Sequence, residues 1–258
     1  MSSLHNKNTF ERFVVGPSNQ FAHAAAIAVA KQPAKNFNPL LIYGGYGLGK
    51  THLLHAIELL TASIHPELNI HYVSGEEFMH EMITAIRDDL MPKFREKCRN
   101  IDFLLVVDDI HVWAEMERTQ EEFFHFFNVL HDSEKQIVIT SDKFPKDIPN
   151  LEGRLRARFE WGLVVDIQPP EIETRIAIIK NQIQENNISI SDSTAHYIAR
   201  RVKSNIGELK GILGIVNSYS SLTGREINIE LVKEVLKIAK IDKSRLRKMS
   251  VKHVFKNS

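Results

Sequence analysis

The 258-residue sequence has little of several things that would place it in a specialised class of protein. It holds a single cysteine, Cys98, which excludes a disulfide framework and argues against a metal site built on thiolates. Its longest purely apolar runs, such as FLLVV at 103–107, are far shorter than the roughly 20 residues that a membrane-spanning helix needs. The first ten residues lack the apolar core of a signal peptide. These absences predict a soluble, cytoplasmic protein.

The chain also lacks an excess of charge of either sign, because its formal net charge at pH 7 is +1. The total therefore gives no sign of a nucleic-acid-binding surface. The distribution is uneven, since residues 241–258 carry six Lys or Arg and one acid, whereas the remainder is net −4. Such a basic end could meet phosphate, an anionic lipid or only water, and a solvated tail is the commonest case.

Internal repeats and low-complexity segments are absent, and the remaining pattern divides the chain. Residues 9–168 alternate helical segments with short apolar runs, which predicts a parallel sheet covered by helices on both faces. Pro169 and Pro170 mark a break, after which four helical patterns follow one another. We therefore expect an α/β subdomain over 1–168, a small all-helical subdomain over 169–240, and a basic linker helix or tail over 241–258.

The strongest functional signal is GGYGLGKT at 44–51, which satisfies G-x-x-x-x-G-K-[ST]. Backbone N–H groups of a glycine-rich loop cradle phosphate oxygens, and the helix that follows adds the positive end of its dipole. An apolar strand pattern precedes this loop and a helical pattern follows it. The motif therefore predicts that Lys50 reaches the β- and γ-phosphates of a nucleotide and that Thr51 helps to hold Mg²⁺.

Two further apolar runs end in acids. FLLVVDD at 103–109 places Asp108 where a carboxylate could hold Mg²⁺ and Asp109 where one could polarise the attacking water. IVITSD at 137–142 ends in Asp142, which could sense the γ-phosphate. Taken alone, each run is a weak signal, since many strands end in acids and turns are rich in them.

Arginines and histidines allow competing interpretations. In LEGRLRARFEWG at 151–162, Arg154 and Arg158 are four residues apart and share a helix face. Their spacing favours a solvated basic face, and the alternative is an arginine finger that reaches the nucleotide of a neighbouring subunit. His52 and His55 lie one helical turn apart but lack an acid at ligand spacing, so we interpret them as packed or exposed helix residues rather than metal ligands.

The chain resembles the AAA+ module of DnaA, the bacterial chromosomal replication initiator family, in NPLLIYGGYGLGKTHLLHAI, RTQEEFFHFFNVL, IVITSDKFPKDIPNLEGRLRARFEWGLVVDIQPPEIETRIAIIK and TGREINI. The resemblance extends over about residues 8–240. It implies an α/β P-loop NTPase with a parallel five-stranded sheet between helices and a small all-helical lid. It also implies an ATP-dependent switch that assembles into a helical oligomer on origin DNA, opens the duplex, and is reset by slow hydrolysis.

The resemblance assigns roles around the nucleotide. The positions implied to bind ATP or ADP are Val14, Asn19, Gly45, Gly47, Gly49, Lys50 and Thr51. Asp108 is implied to hold Mg²⁺ together with Thr51, and Asp109 to activate water. Asp142 matches the first sensor of the γ-phosphate.

The resemblance also implies partners. Arg158 matches the finger that contacts a neighbour's ATP, and Arg154 matches a second interface arginine. The positions implied to bind single-stranded DNA are Ile83, Arg118 and Thr119. Without the resemblance, Ile83 is interpreted as core and Arg118 as a solvated charge. Met116 stands where a lysine is common in the family, and acidic phospholipid is a further family partner that the basic end permits.

One position departs from the family in the predicted lid. Gly207 occupies the place of the second-sensor arginine, which projects to the nucleotide phosphates. A hydrogen bond to a charged group is worth about 1.5–3 kcal/mol, so its loss would cost about tenfold or more in ATP discrimination or hydrolysis. Lys203 or Lys210 could compensate. Asn205 is expected to cap the helix, with Glu208 completing a capping-box-like arrangement.

The family's duplex-reading and helicase-contacting domains have no counterpart in the sequence, so origin DNA would be bound through a domain absent from this chain. We expect a weak ATPase at most. The leading hypothesis is an initiator core that acts through ATP. The alternatives are a non-catalytic, ADP-bound regulatory paralogue that docks on an initiator, or a helicase loader.

Overall fold

A computed structural model of the chain describes residues 8–107, 117–203 and 205–238. The chain divides into two compact units between Pro169 and Pro170. The first unit is built on five parallel strands in the order β2-β3-β4-β1-β5. The strands are β1 (Leu40–Tyr43), β2 (Ile70–Ser74), β3 (Phe103–Val107), β4 (Gln136–Ser141) and β5 (Leu163–Asp166). This sheet confirms the predicted parallel five-stranded α/β fold.

Helices cover both faces of the sheet. They are α1 (Gln20–Lys31), α2 (Lys50–Ile64), α3 (Gly75–Arg87), α4 (Met91–Arg99), α5 (Glu117–Asp132) and α6 (Gly153–Trp161), with 3-10 turns at Phe10–Arg12 and Pro145–Asp147. Successive side chains of a strand point to opposite faces, so Leu41 packs with α3, α4, α5 and α6, whereas Leu40 and Ile42 pack with α1 and α2. The sheet is thus the middle of three layers.

Each face of the sheet has its own hydrophobic core. One face carries a phenylalanine-rich cluster, whose buried rings are Phe78, Phe94, Phe123, Phe126, Phe127 and Phe159. Neighbouring rings stand within ordinary aromatic contact distance, for example 5.0 Å between Phe78 and Phe126. On the other face, the alanines of α1 allow it to lie close to α2. Full burial of a phenylalanine stabilises the fold by roughly 1.5–3 kcal/mol.

The segment between β2 and β3 contains two helices. Ser74 Oγ accepts from Glu77 N at 3.0 Å and the Glu77 carboxylate accepts from Ser74 N at 3.1 Å, which forms a capping box at the start of α3. The helical pattern over residues 76–98 contains Pro92, and because proline breaks a helix interior, the sequence predicts an interruption at that residue. The structure places the interruption earlier. The interruption lies at residues 88–90, where Asp89 adopts a positive φ of 55°. Pro92 is the second residue of α4, where no N–H donor is needed.

Every regular element that the structure describes in the second unit is a helix. Its helices are α7 (Ile172–Glu185), α8 (Asp192–Arg201), α9 (Ile206–Thr223) and α10 (229–238). Arg175 of α7 donates to the carbonyls of Pro170 at 2.6 Å and Ala199 at 2.8 Å, which ties α7 to α8. In neither unit is any described helix both long and apolar enough to cross a membrane.

Candidate nucleotide-binding site

The loop that joins β1 to α2 has the backbone of a phosphate-binding nest. Gly44, Gly47 and Gly49 have positive φ angles of 155°, 72° and 106°. Residues other than glycine rarely adopt such angles. A Cβ on Gly44 would also lie only 2.4 Å from the carbonyl oxygen of Ile167. Because α2 begins at Lys50, the positive end of its dipole lies at the end of this loop. The motif therefore folds as its chemistry requires.

The ammonium of Lys50 lies inside this loop. Its Nζ donates to the carbonyl oxygens of Gly44 at 2.8 Å and Gly45 at 3.3 Å, and to Asp142 Oδ1 at 2.6 Å. The Lys50 side chain is only 4% exposed, whereas that of Asp142 is 39% exposed. The loop therefore holds a buried cation, and Asp142 keeps that cation neutralised from the solvent side.

Strand order brings Asp142 to this position. It directly follows β4, and β4 lies beside β1 in parallel register, with Tyr43 opposite Ser141. The carboxyl ends of the two strands therefore meet at the same edge of the sheet, the edge where α/β folds bind ligands. Two of the predicted site residues, Lys50 and Asp142, are thus in direct contact.

The segment before α1 forms a second closed loop. Asn19 Oδ1 accepts from Gly16 N at 2.9 Å, and Asn19 Nδ2 donates to the Val14 carbonyl at 3.0 Å. The sequence allows Ser18 or Asn19 as the N-cap of α1. Asn19 stands at that position, but its side chain makes no capping bond. The amide is 3% exposed and instead fixes the loop over residues 14–19, the segment implied to wrap the adenine.

Phe13 connects this adenine segment to the phosphate loop, a role that no sequence motif indicated. A Cβ on Gly49 would lie 3.2 Å from the ring of Phe13, so the ring packs directly on the loop. The same ring stacks on His23 at 5.6 Å and meets His52 edge-on at 5.2 Å. Burial lowers the pKa of His23 below its ordinary value, with a smaller opposing effect from a hydrogen bond to the Phe10 backbone.

The two histidines of α2 hold the N-terminal segment. His52 Nε2 lies 2.8 Å from the Thr9 carbonyl oxygen, which can only accept, so this nitrogen carries the hydrogen. His55 Nδ1 lies 2.9 Å from Asn8 Nδ2, and the His55 ring stacks on Tyr72 at 4.8 Å. Both histidines are packing and hydrogen-bonding residues of the helix.

Of the two residues implied to hold Mg²⁺, the described part of the chain includes Thr51. Thr51 is the second residue of α2 and half-buried beside Lys50, a position that suits a hydroxyl ligand of Mg²⁺. Asp108 and Asp109 lie outside the described residues. Across residues 8–107, 117–203 and 205–238, no three His, Cys, Asp or Glu side chains come together in a way that could hold a metal ion.

Arg154 and Arg158 project from the same face of α6 over one aromatic ring. Their guanidinium carbons lie 5.0 and 5.6 Å from the centre of the Phe124 ring on α5. Arg154 Nε also donates to Glu152 at 2.5 Å, and this hydrogen bond raises the Arg154 pKa. Arg158 lies 4.4 Å from the centre of the Trp161 ring. The shared face predicted from their spacing is present.

Arg158 lies far from the phosphate loop of its own chain. It is in the last turn of α6, and Gly162, which follows that helix, packs on Pro39 just before β1. This is the amino end of the sheet, since Leu163 N donates to the Pro39 carbonyl at 3.0 Å. Lys50 stands beyond the opposite end of β1, roughly 10 Å or more away.

The residues implied to contact DNA belong to α3 and α5, which pack together. Ile83 is partly buried against the phenylalanine-rich cluster, which agrees with its interpretation as a core residue from its apolar side chain. Arg118 and Thr119 fall in the first turn of α5, but the described residues do not include their side chains, and Met116 lies outside altogether.

In the second unit, Asn205 Oδ1 accepts from Glu208 N at 2.7 Å and caps α9. Gly207 is therefore in the first helical turn, where it is exposed, as are Lys203 and Lys210. The residues from 239 onward, including the basic end, lie outside the described part of the chain.

Comparisons with known proteins agree with this geometry. The family model described as the bacterial DnaA ATPase domain matches residues 4–166. The chain is 53% identical over 243 residues to the chromosomal replication initiator protein DnaA of Citrifermentans bemidjiense, covering 94% of this chain and 53% of that protein. It thus spans about half the length of the curated relatives that it matches.

Solved structures give the same result. Domain III of the Thermotoga maritima replication initiation protein DnaA matches with a TM-score of 0.84 and 38% identity, covering 90% of this chain and 96% of that chain. A replication initiator DnaA bound to AMPPCP and single-stranded DNA matches with a TM-score of 0.76 and 33% identity, over 83% of this chain and 66% of that chain. The expected AAA+ fold is confirmed, and the chain belongs to the family of bacterial DnaA ATPase domains.

Proposed function

We propose that this chain is the nucleotide-controlled AAA+ switch of a bacterial replication initiator, and that it binds ATP or ADP at the loop over residues 44–51. The observation that carries the proposal is the placement of Lys50, a buried ammonium inside a glycine nest at a helix N-terminus. Such a nest fits the phosphates of a nucleotide. The closed loop fixed by Asn19 beside it supports a site for the base, and a related initiator binds the nucleotide analogue AMPPCP.

Mg²⁺ would be held by Thr51 and Asp108 and would neutralise charge on the β- and γ-phosphate oxygens. Asp142 is proposed as the sensor of the γ-phosphate, because its carboxylate already contacts the Lys50 ammonium. Asp109 is proposed to activate the attacking water. With glycine at position 207, we propose that hydrolysis is slow and serves as a reset of the switch.

We further propose that the ATP form self-associates into a helical oligomer through the face of α6. The supporting observation is that Arg158 stands at the amino end of the sheet, away from its own Lys50. A cation there is placed to serve a neighbouring subunit's nucleotide and not its own. Arg154 on the same helix face would belong to the same interface.

Single-stranded DNA is proposed as the ligand of the surface formed by α3 and the first turn of α5, with Ile83, Arg118 and Thr119 as contact residues. A related initiator has been solved with single-stranded DNA bound, and α3 packs beside α5 in this chain. Opening of duplex DNA would follow from oligomer assembly on the strand. Contact with origin duplex DNA through another domain, contact of acidic phospholipid with the basic end, and a cytoplasmic location stay predictions.

A second candidate function is favoured by one observation, the exposed Gly207 in the first turn of α9. Glycine has no side chain and therefore cannot supply the phosphate contact that the family's second-sensor arginine makes. A chain without this contact could bind nucleotide without turnover and act as a regulatory module that docks on a complete initiator. The two candidates differ in whether ATP, but not ADP, drives assembly.

The test measures ATP and ADP affinity, hydrolysis, and oligomer size with and without single-stranded DNA. Lys50→Ala is compared with Lys97→Ala, because Lys97 makes an ion pair of the same 2.6 Å length with Glu81 on the exposed surface. We expect Lys50→Ala to weaken both nucleotides by at least about tenfold and Lys97→Ala to change neither.

Assembly that requires ATP and increases with single-stranded DNA would support the initiator switch. Equal binding of ATP and ADP, without turnover or assembly, would support the regulatory module instead. If the unmodified chain bound no nucleotide, both candidates would be wrong.

A further inference from the structure

Trp161 is the last residue of α6, and its side chain is 62% exposed. It belongs to neither of the two buried clusters that cover the sheet faces. Two neighbours of its ring are described, the guanidinium of Arg158 at 4.4 Å and the imidazole of His131 at 5.5 Å. The indole is thus a surface ring that lies beside the guanidinium of Arg158.

Arg158 lies close to two aromatic rings. Its guanidinium carbon lies 4.4 Å from the centre of the Trp161 ring and 5.6 Å from that of Phe124, both within the distance at which a cation is attracted to a ring face. Among the residues that the structure describes, no carboxylate forms a salt bridge with Arg158. Arg154, on the same helix face, differs because Glu152 holds its Nε.

The two ways of holding an arginine have different chemical consequences. A carboxylate neutralises the guanidinium and occupies its N–H donors. An aromatic face contacts the plane of the group, so the five donors around its edge and its full positive charge stay available. Arg158 has contacts of the second kind, and such contacts do not use the donors that a phosphate would need.

We propose that Trp161 is a positioning residue for Arg158. Its ring holds the guanidinium extended from α6 with its donor edge free for the phosphates of a neighbouring subunit's nucleotide. The inference rests on the proposed role of Arg158 as a finger, and adds to it the residue that fixes the finger's geometry. Because effective catalysis depends on placement to within about 1 Å, loss of the ring should reduce activity while Arg158 itself is still present.

Trp161 is better suited to a test than Phe124. Phe124 also supports Arg154 and packs against the phenylalanine-rich cluster, so its replacement would disturb several contacts together. Trp161 is exposed, and Trp161→Leu keeps an apolar side chain while removing the aromatic face. Trp161→Phe is the matched variant, since it restores a ring face of smaller size.

The experiment uses the full chain and measures the unfolding midpoint, ATP affinity, ATP-dependent oligomer size and hydrolysis rate in the assembled state. For Trp161→Leu we expect an unchanged midpoint, unchanged ATP affinity and a roughly three- to tenfold loss of assembly-dependent hydrolysis. Trp161→Phe should recover most of this loss. A Leu variant as active as the unmodified chain, or a Phe variant no better than Leu, would overturn the inference.

A double-variant comparison decides whether Trp161 acts through Arg158. If it does, Trp161→Leu should add no further loss in an Arg158→Ala background. If the losses multiply, the indole contacts the neighbour by itself and the positioning role is wrong. If Arg158→Ala alone changes neither assembly nor hydrolysis, the finger assignment in the proposed function fails as well, an outcome distinct from a failure of Trp161 alone.

Discussion

The ammonium of Lys50 lies 2.6 Å from Asp142 Oδ1, although 92 residues separate the two in the chain. One partner is almost fully buried and the other is partly exposed. The carboxylate therefore shields the loop's cation from solvent, and it competes with any anion that approaches the same ammonium. Nucleotide binding at this loop has to exchange part of that contact for contacts with phosphate.

Asp142→Asn should tighten ADP binding by about two- to fivefold, because the amide keeps a hydrogen-bonding group but removes the competing negative charge. Hydrolysis of ATP should fall, since the proposed sensor of the γ-phosphate is lost. Titration with ADP and ATP at constant salt measures both effects. Asp102→Asn is the control, because Asp102 pairs with Lys135 near the start of β3. Weaker ADP binding by Asp142→Asn would mean that the carboxylate organises Lys50 for binding.

Gly44→Ala should lower the free energy of unfolding by about 2–4 kcal/mol. The added methyl group would lie 2.4 Å from the Ile167 carbonyl oxygen, on a residue with φ of 155°. Gly45→Ala is the matched control, since its methyl group would lie an ordinary 3.7 Å from Leu48. Urea unfolding of both variants measures the difference, and equal stability would contradict the close approach.

Phe13→Ala should cost about 3 kcal/mol of stability and weaken nucleotide binding, because the ring is buried against Gly49 and His52. Phe21→Ala removes a ring that is 60% exposed on α1 and should change little. Unfolding and nucleotide titration of the two variants test this. If Phe13→Ala lost stability but kept full nucleotide affinity, the proposed link between the two loops would be wrong.

Burial lowers the pKa of both His23 and His71, and Lys97 lowers that of His71 further. In the unfolded chain these groups take up protons near pH 6.5, whereas the folded chain resists protonation until a lower pH. The free energy of unfolding should therefore be constant above about pH 7 and fall as the pH drops below about 6.5.

His23→Phe should reduce the slope of this fall between pH 7 and 5, and His80→Gln, at an exposed position of α3, should not. Urea unfolding at several pH values measures the slope. Carboxylates whose pKa is lowered, such as Asp102, lose their contribution only below about pH 4.5. An unchanged slope in His23→Phe would show that other groups control the fall.

Gly207→Arg should raise the preference for ATP over ADP, or the rate of hydrolysis, by about tenfold without loss of stability. Position 207 is exposed in the first turn of α9, so a longer side chain there can extend into solvent. Gly211→Arg, one turn later, is also exposed and has nothing within 4 Å of an added Cβ. If the two variants had the same effect on nucleotide, a general increase in positive charge would be the cause.

Local patterns predicted a large part of the fold. The apolar runs that became β1, β3 and β4 stood out because buried parallel strands are continuous apolar segments, whereas β2 is a mixed segment, IHYVS, of which only Val73 is buried. β5 did not stand out by itself, since Leu163–Asp166 is only four residues long and directly follows a helix. The helix break was predicted at Pro92 but lies before it, because proline can either end a helix or occupy the first turn of the next one.

The candidate site also has parts that the sequence predicted and parts that only the structure revealed. The phosphate loop was predicted with Lys50 and Thr51, because a contiguous motif fixes backbone and side chains together. The packing of Phe13 on Gly49 had no signal in the sequence, since a phenylalanine before a helix looks like any core residue. Trp161 and Arg158 lie within one helical turn of each other. The second ring beside Arg158, that of Phe124, comes from α5 and could not be predicted from the local sequence.

The sequence by itself determined the helices, four of the strands and the chemistry of the loop at 44–51. Each of these depends on periodicity or on neighbours within a few residues. Only the tertiary structure decided that Asp142 meets Lys50 and that Arg158 stands at the opposite end of the sheet. Both follow from which strand lies beside which, and that choice is made by packing between residues far apart in the chain, which no short stretch of sequence records.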